Sequence, residues 1–531
     1  MGWFDPQESD LEKYGDAPPP PPVASRHAKL DDQSRDLVTQ DLPRGVAVLR
    51  GQPNREERAQ WASPENIGAL RAKFGDILLG KFGGVPLGYM DDKPMVTVAS
   101  ARAGKTSTVL VPTLLMYPGS MLVLDPKGEL AQETALHRRD VLGHTVHVLD
   151  PFGCTGLPSA HFNALAELDP FSPDIIDDAA LIAQSLVLDE PGSDSSHWVN
   201  SARELVKGLV LHTLQQGNGY RNLVTTWELL RLTFAPLQSL GDKLKADGVD
   251  ASAEAVQLAL FETMAAQVEP FGGEVAGAGR SLLRKNPRER AGIISTAEPH
   301  LSFLSSIPIK EVSRASDFRL SDLAERNTTI YLCLPSGRMQ THFRWLRLVV
   351  RMALRTLERR GRWPRDRLPM IFLMEEFASL GHMPIMEQAA AYFPGFGVKL
   401  WCVLQDLTQL QRHYRESWQT FLGNASVVQA FANADEVTLD YISRRLGYLS
   451  FVRGSSSVSD EGKNYRDKER LLHTHEMAKL FARATGNQIL LVEGHDPIAA
   501  IRFSHEDIAE LRRRATLNLP GPERAALPPP T

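Results

Sequence analysis

Eight short apolar runs, rich in β-branched residues and each closed by a turn or a polar residue, constrain the fold of this chain more than any other feature. They are MVTV (95–98), MLVLD (121–125), TVHVLD (145–150), TTIYLCL (328–334), MIFLM (370–374), KLWCVL (399–404), VVQAF (427–431) and ILLVEG (489–494). Strands that are continuously apolar, with no polar alternation, bury both faces, which is the situation of a parallel sheet layered with helices. An α/β fold with a parallel-rich central sheet is therefore expected. From about residue 169 to 308 such runs vanish, and segments such as WVNSARELVKGLVLHTLQ and EAVQLALFETMAAQV repeat their apolar residues at helical spacing. An all-helical domain inserted between strands of the sheet is predicted there.

Length and composition agree. The 531 residues, 43% hydrophobic and 23% charged, suffice for about three to four domains or equally for one large insertion-bearing domain, and Gly 39 with Pro 35 is ordinary usage, which excludes collagen-like or wholly disordered chains. Lys+Arg 59 against Asp+Glu 64 gives a net charge of −5, so any nucleic-acid contact must be a local basic patch. Cys154, Cys333 and Cys402 are too far apart for a disulfide framework or a zinc site and fit a reducing compartment. The acidic start lacks the basic and apolar stretches of an export signal, and the most apolar stretch, 109–124, is broken by Pro112, Tyr117, Pro118 and Gly119, so no membrane span is expected. Five consecutive prolines at 18–22 make residues 1–60 a flexible arm, either a solvated linker or a ligand for an aromatic groove, and 516–531 form a Pro-rich tail. The division expected is 61–168 and 309–515 for the two parts of the sheet domain, with 169–308 inserted.

The strand MVTV runs into Ala99-Ser100-Ala101-Arg102-Ala103-Gly104-Lys105-Thr106-Ser107 and then a helical stretch. The pattern G-x-x-x-x-G-K-[ST] binds phosphates because loop N–H groups at a helix N-terminus curl around the β-phosphate. Lysine reaches the β/γ oxygens and the hydroxyl ligates Mg²⁺. Here Ala99 replaces the first glycine, which a negative φ tolerates. A plain strand-to-helix surface turn is the alternative. MIFLM ends in Glu375-Glu376, where such sites place a metal-side acid, generally Asp, followed by the general base. Glu375 is the metal-side candidate and Glu376 the base; two carboxylates solvating a strand end is the other reading. Gln405 closes the KLWCVL strand, where an amide can sense the γ-phosphate or position water, or simply cap a loop.

These motifs, in this order, resemble the type IV coupling proteins of bacterial conjugation and secretion, the TraG/TraD-like group. The resemblance runs from about residue 98 to 494. It includes Pro112-Thr113-Leu114-Leu115 and Asp125-Pro126-Lys127-Gly128-Glu129. Next come Arg138 or Arg139, Gly143, Val146 and Asp150-Pro151-Phe152, then Phe162-Asn163-Ala164-Leu165. Trp198, Ser201 and Ala202, the run Glu375-Glu376-Phe377-Ala378-Ser379-Leu380-Gly381, and Gln405 complete it. It implies a RecA-like P-loop NTPase with an all-helical insertion, assembled as a homo-hexameric ring that uses ATP and Mg²⁺. Its cargo would be relaxase-bound single-stranded DNA or a protein effector, delivered to the channel components of a type IV secretion system.

The chain departs from that group in three ways. It lacks the usual N-terminal pair of membrane helices, so a cytoplasmic protein is expected, or one held at the inner membrane by a separate anchor. Glu375 stands in for Asp. The segment 391–397 carries no arginine to act in trans, leaving Arg338 or Arg412 as substitutes. Arg355, Arg359, Arg360, Arg362, Arg365 and Arg367 are a candidate DNA patch, or cations dressing a helix C-terminus. Two alternative functions stay open: a nucleotide-binding substrate receptor with weak or no hydrolysis, and a cytosolic DNA translocase of the HerA/FtsK kind working outside secretion.

Overall fold

The computed structural model describes residues 59–63, 67–189, 196–246, 252–454 and 464–516. The Pro-rich arm up to residue 58 and nearly all of the Pro-rich tail lie outside the described residues.

The strands are β1 (Ile77–Phe82), β2 (Val85–Tyr89), β3 (Met95–Ala99), β4 (Met121–Asp125), β5 (Thr145–Leu149), β6 (Thr328–Cys333), β7 (Met370–Met374), β8 (Val398–Leu404), β9 (Val427–Phe431), β10 (Tyr448–Gly454), β11 (Asn464–Arg470), β12 (Asn487–Val492) and β13 (Ile498–Ile501). Eleven of them form one sheet in the order β2-β1-β13-β12-β9-β3-β8-β7-β4-β6-β5, and β10 pairs with β11 alone. From β9 to β5 every pairing is parallel.

The apolar runs fill both sides of this parallel block by simple alternation. Val96, Val98, Leu122, Leu124, Phe372, Met374, Leu400 and Cys402 face one core, whereas Met95, Met121, Val123, Ile371, Leu373, Trp401 and Val403 face the other. One expectation is corrected. The run 489–494 belongs to β12, which pairs antiparallel with both β9 and β13, and β1 and β2 add two further antiparallel strands, so the sheet is mixed. Burial on both faces makes a strand apolar whatever its direction.

The seam between the two halves is held by a buried polar ladder. Trp401 Nε1 donates to Thr97 Oγ1 (2.9 Å), which donates to Gln429 Oε1 (3.0 Å). Gln429 Nε2 donates to Gln488 Oε1 (2.6 Å), and Gln488 Nε2 to the Leu79 carbonyl. A one-residue slip of any strand would leave these groups unpaired in the core, so the ladder fixes register.

Helices α1 (Val111–Met116) and α2 (Glu129–Asp140) cover one face. Between β5 and β6 the regular elements among the described residues are all helical: α3 (Ile175–Leu186), α4 (Ser196–Leu214), α5 (Leu223–Leu230), α6 (Ala235–Ala246), α7 (Ala253–Ala265), α8 (Glu274–Arg284), α9 (Pro287–Leu301), α10 (Ile307–Ser313) and α11 (Asp322–Glu325), with short 3₁₀ turns. After β6 comes α12 (Ser336–Arg360), the longest helix, packed against the opposite face from α1 and α2. Among the described residues no helix is long and apolar enough to cross a membrane.

Candidate nucleotide site

The carboxyl ends of β3, β8 and β7 are neighbours in the sheet, and they bring the three sequence motifs to one edge. Ala99 ends β3 fully buried and without a positive φ; the left-handed positions are instead Arg102 (φ 57°) and Gly104 (φ 92°). The missing first glycine is therefore no obstacle to the loop conformation.

Lys105 is buried (8% exposed) and folds back over its own loop, Nζ donating to the carbonyls of Ala99 (2.6 Å) and Ser100 (3.2 Å). Burial lowers its pKa, against the raising pull of Glu376 and Glu375. The chain then turns into Thr106–Leu110, where the helix is widened so that the Val111 N–H donates to the Thr106 carbonyl five residues back, and α1 follows. Pro112 supplies a reason: it has no N–H for the Thr108 carbonyl, and its ring would strike that carbonyl in a regular α-helix.

Glu376 lies with φ 54° and ψ 47°, a left-handed conformation that costs a side-chain-bearing residue about 1–3 kcal/mol and clusters at functional sites. Its carboxylate accepts from Gln405 Nε2 at 3.0 Å on each oxygen, so the expected base and the expected amide meet. The Gln405 backbone N–H is held by Gln409 Oε1 (3.0 Å).

Glu375 points inward, 5% exposed, and its pKa is pushed up to about 8, by burial first and then by the neighbouring Asp125 carboxyl. Asp125, at the end of β4, is fully buried and pushed up to about 6 by burial, against hydrogen bonds that include Ala131 N–H to Oδ2 at 2.8 Å. Among the described residues its Oδ1 is buried without a partner. The oxygen donors Thr106, Glu375 and Asp125 suit a hard cation. No three acidic, histidine or cysteine side chains among the described residues form a metal cage. The oxygen-only donors and the unpartnered Asp125 Oδ1 fit Mg²⁺, which is held by one or two carboxylates plus substrate phosphates.

Two supports carried no sequence signal. Arg502, just after β13, donates from Nη1 to the Ala103 carbonyl (2.5 Å) and lies over the Phe431 ring at 4.4 Å. His505 Nδ1 sits 3.0 Å from the Ser107 carbonyl. Both grip the loop from some 400 residues away in sequence, where only the fold can place them.

The cationic candidates are dispersed. Arg355 and Arg359 pair with Asp174 and Asp178 at the start of α3, Arg360 and Arg367 lie over Trp363, and Arg338 lies over Phe152. Arg412 falls in the helix Thr408–Tyr414.

A strand-loop-helix phosphate cradle, with a glutamine strand separating it from a strand that ends in paired acids, is the arrangement of a RecA-like P-loop nucleotide-binding domain. The match to known proteins narrows this further. Residues 66–505 match the family described as Type IV secretory system Conjugative DNA transfer, and the chain belongs to that family of coupling proteins. It is 25% identical over 425 residues to Protein VirD4 of Agrobacterium fabrum (79% of this chain, 59% of that protein) and 25% identical over 380 residues to the conjugal transfer protein TraG of Escherichia coli (69% and 56%). The chain thus spans less than two thirds of the length of these relatives. Its fold is similar to the conjugative coupling protein TrwBdeltaN70, with a TM-score of 0.60 at 15% identity over 87% of this chain and 96% of that one. TrwB in complex with ADP and Mg²⁺ matches with a TM-score of 0.59 at 15% identity, with the same coverage.

Proposed function

We propose that this chain is the ATP-hydrolysing motor of a type IV coupling protein, recruiting relaxase-bound single-stranded DNA or a protein effector and moving it to a secretion channel as a homo-hexamer. The observation that carries this reading is the Gln405–Glu376 contact beside the Lys105 loop, which gathers phosphate binding and water activation at one sheet edge. Family membership and the nucleotide complexes of TrwB support it.

In this reading the backbone from Ala99 to Ser107 cradles the phosphates. Lys105 exchanges the carbonyls of Ala99 and Ser100 for β/γ oxygens. Glu376 accepts a proton from the attacking water, and Gln405, bound to both carboxylate oxygens, orients the pair. The Thr106 hydroxyl and Glu375 would hold Mg²⁺, which supplies charge neutralisation on the phosphates. The helical segment between β5 and β6 is assigned the receptor role, and cytoplasmic placement, with or without a separate membrane anchor, follows from delivery to the channel.

Hydrolysis should rise with single-stranded DNA and collapse in Lys105→Ala and Glu376→Gln. Full activity in both variants would refute the proposal. A second reading, a nucleotide-binding receptor that turns over poorly, is favoured by the raised pKa of Glu375, which keeps that carboxyl protonated at neutral pH and a weak ligand. Turnover clearly above the Lys105→Ala control excludes it.

A further inference from the structure

The loop that carries Glu376 is held by a side chain from a distant helix. Arg347 of α12 is buried, 7% exposed, and its Nη1 donates to the carbonyls of both Leu380 and His382 (2.8 Å to the latter). No carboxylate pairs with it in any ion pair found among the described residues, so its hydrogen-bonding is directed at the loop backbone. Gly381, between those two carbonyls, has φ 67°, and a Cβ there would lie 3.5 Å from Nη1.

The loop needs such a hold. Glu376 sits in a left-handed conformation that persists only when its surroundings over-determine it. Three further contacts fix the same turn. The Ser379 N–H donates to the Glu376 carbonyl (2.8 Å), the Gly381 N–H donates to the Ala378 carbonyl (3.0 Å), and Phe377 is buried against Tyr414 and Phe421. Arg347 closes the far end, and its planar guanidinium holds Nη1 in a more rigid geometry than a flexible lysine ammonium would.

The helix that presents it is itself anchored to the inserted helices. At the next positions along the same face, Arg351 donates to Gln184 Oε1 (3.0 Å), and Arg355 and Arg359 reach Asp174 and Asp178. One helix thus carries the contact to the acidic loop and the contacts to the insertion.

We propose that Arg347 is a positioning residue for hydrolysis: it clamps the 376–382 turn so that the Glu376 carboxylate stays on Gln405 and faces the attacking water. The inference rests on the reading of Glu376 as general base. A displacement of about 1 Å in a catalytic group can cost a factor of 10² in rate, so removal of the clamp should cost kcat about 10- to 100-fold while the phosphate loop keeps its affinity.

The test uses the full chain and the variants Arg347→Met, Arg347→Lys and Arg351→Met. Steady-state ATP hydrolysis and ADP affinity are measured, with backbone amide exchange over 376–382. Expected are a kcat loss in Arg347→Met, a smaller loss in Arg347→Lys, unchanged ADP affinity in both, faster exchange confined to 376–382, and kcat within twofold of wild type in Arg351→Met. Unchanged kcat and exchange in both Arg347 variants would overturn the proposal. So would a parallel loss of ADP affinity, or an equal loss in Arg351→Met, because either marks a general structural role. If the wild type hydrolyses no ATP, the reading of Glu376 fails, and the exchange arm alone decides whether Arg347 holds the loop.

Discussion

Replacing Glu375 with glutamine should stabilise the ligand-free protein, and the gain should grow with pH. The carboxyl is buried near Asp125 and its pKa is pushed up to about 8, against an ordinary 4.5 in the unfolded chain. Because the folded value is raised, the folded state binds more protons than the unfolded state, and stability is lost as pH rises from about 4.5 to 8. Linkage gives a cost of about 3 kcal/mol at pH 7, growing by a further ~1 kcal/mol by pH 8 and shrinking to ~1 kcal/mol at pH 5.5. Glutamine keeps the shape and removes the ionisation. The stability gap between Glu375→Gln and wild type should therefore widen by about 3 kcal/mol from pH 5.5 to 8, while titrating groups remote from Glu375 cancel in the difference. In a domain of this size that is a melting-point gap growing by about 3 °C, readable by calorimetry without nucleotide or Mg²⁺. Parallel pH profiles for the two proteins would refute the reasoning, since the side chain could not then be held protonated by burial.

Arg138→Met should lower stability by at least about 3 kcal/mol in denaturant titrations, because the fully buried guanidinium donates to the carbonyls of Leu114, Tyr117 and Gly119, and all three would be left unpaired. Gly80→Ala should cost about 2 kcal/mol or more on the same measurement. Its Cβ would fall 2.1 Å from Gln488 Nε2 and 2.7 Å from the Ile501 carbonyl, breaking the polar ladder at the antiparallel seam. Gln405→Ala should reduce kcat on the order of 10- to 100-fold with little change in ADP affinity, since it frees Glu376 without touching the phosphate loop. Removal of Mg²⁺ with a chelator should abolish hydrolysis, and Mg²⁺ dependence should sharpen between pH 6 and 8 as Glu375 gives up its proton.

Residues whose role is set by their own neighbourhood were legible in the sequence. The strands β4, β7 and β9 fall on the runs expected for them, because double burial leaves an apolar signature in every residue. That Lys105, Glu376 and Gln405 share one sheet edge was legible because each follows the end of an apolar strand, where an open sheet exposes side chains. Strands β1 and β2 were not found: Gly80, Lys81, Pro86 and Gly88 interrupt their apolar pattern near the edge of the sheet. The direction of β12 was illegible for a different reason, since apolarity records burial and says nothing of polarity along the strand. Arg502, His505 and Arg347 were missed because a lone basic residue acquires its meaning from a carbonyl hundreds of positions, or a whole helix, away.

The two departures at the site act differently on its ligand-free state. Ala99 replaces a glycine at no conformational cost because β3 delivers it in an extended backbone, and the left-handed turn is shifted to Arg102 and Gly104. Glu375 stands where the family pattern has an aspartate, and it lies buried near Asp125 with its pKa pushed up to about 8. Ala99 fills the core beneath the loop, whereas the buried Glu375 costs the ligand-free fold stability at neutral pH and rests there protonated. Nucleotide and Mg²⁺ would have to draw a proton from Glu375 and pull Lys105 off its own carbonyls, so part of the binding energy is spent on switching the site on. In the proposed motor, any contact made on the inserted helices would have a physical route to this switch through α12, which is anchored both to the insertion and to the Glu376 loop.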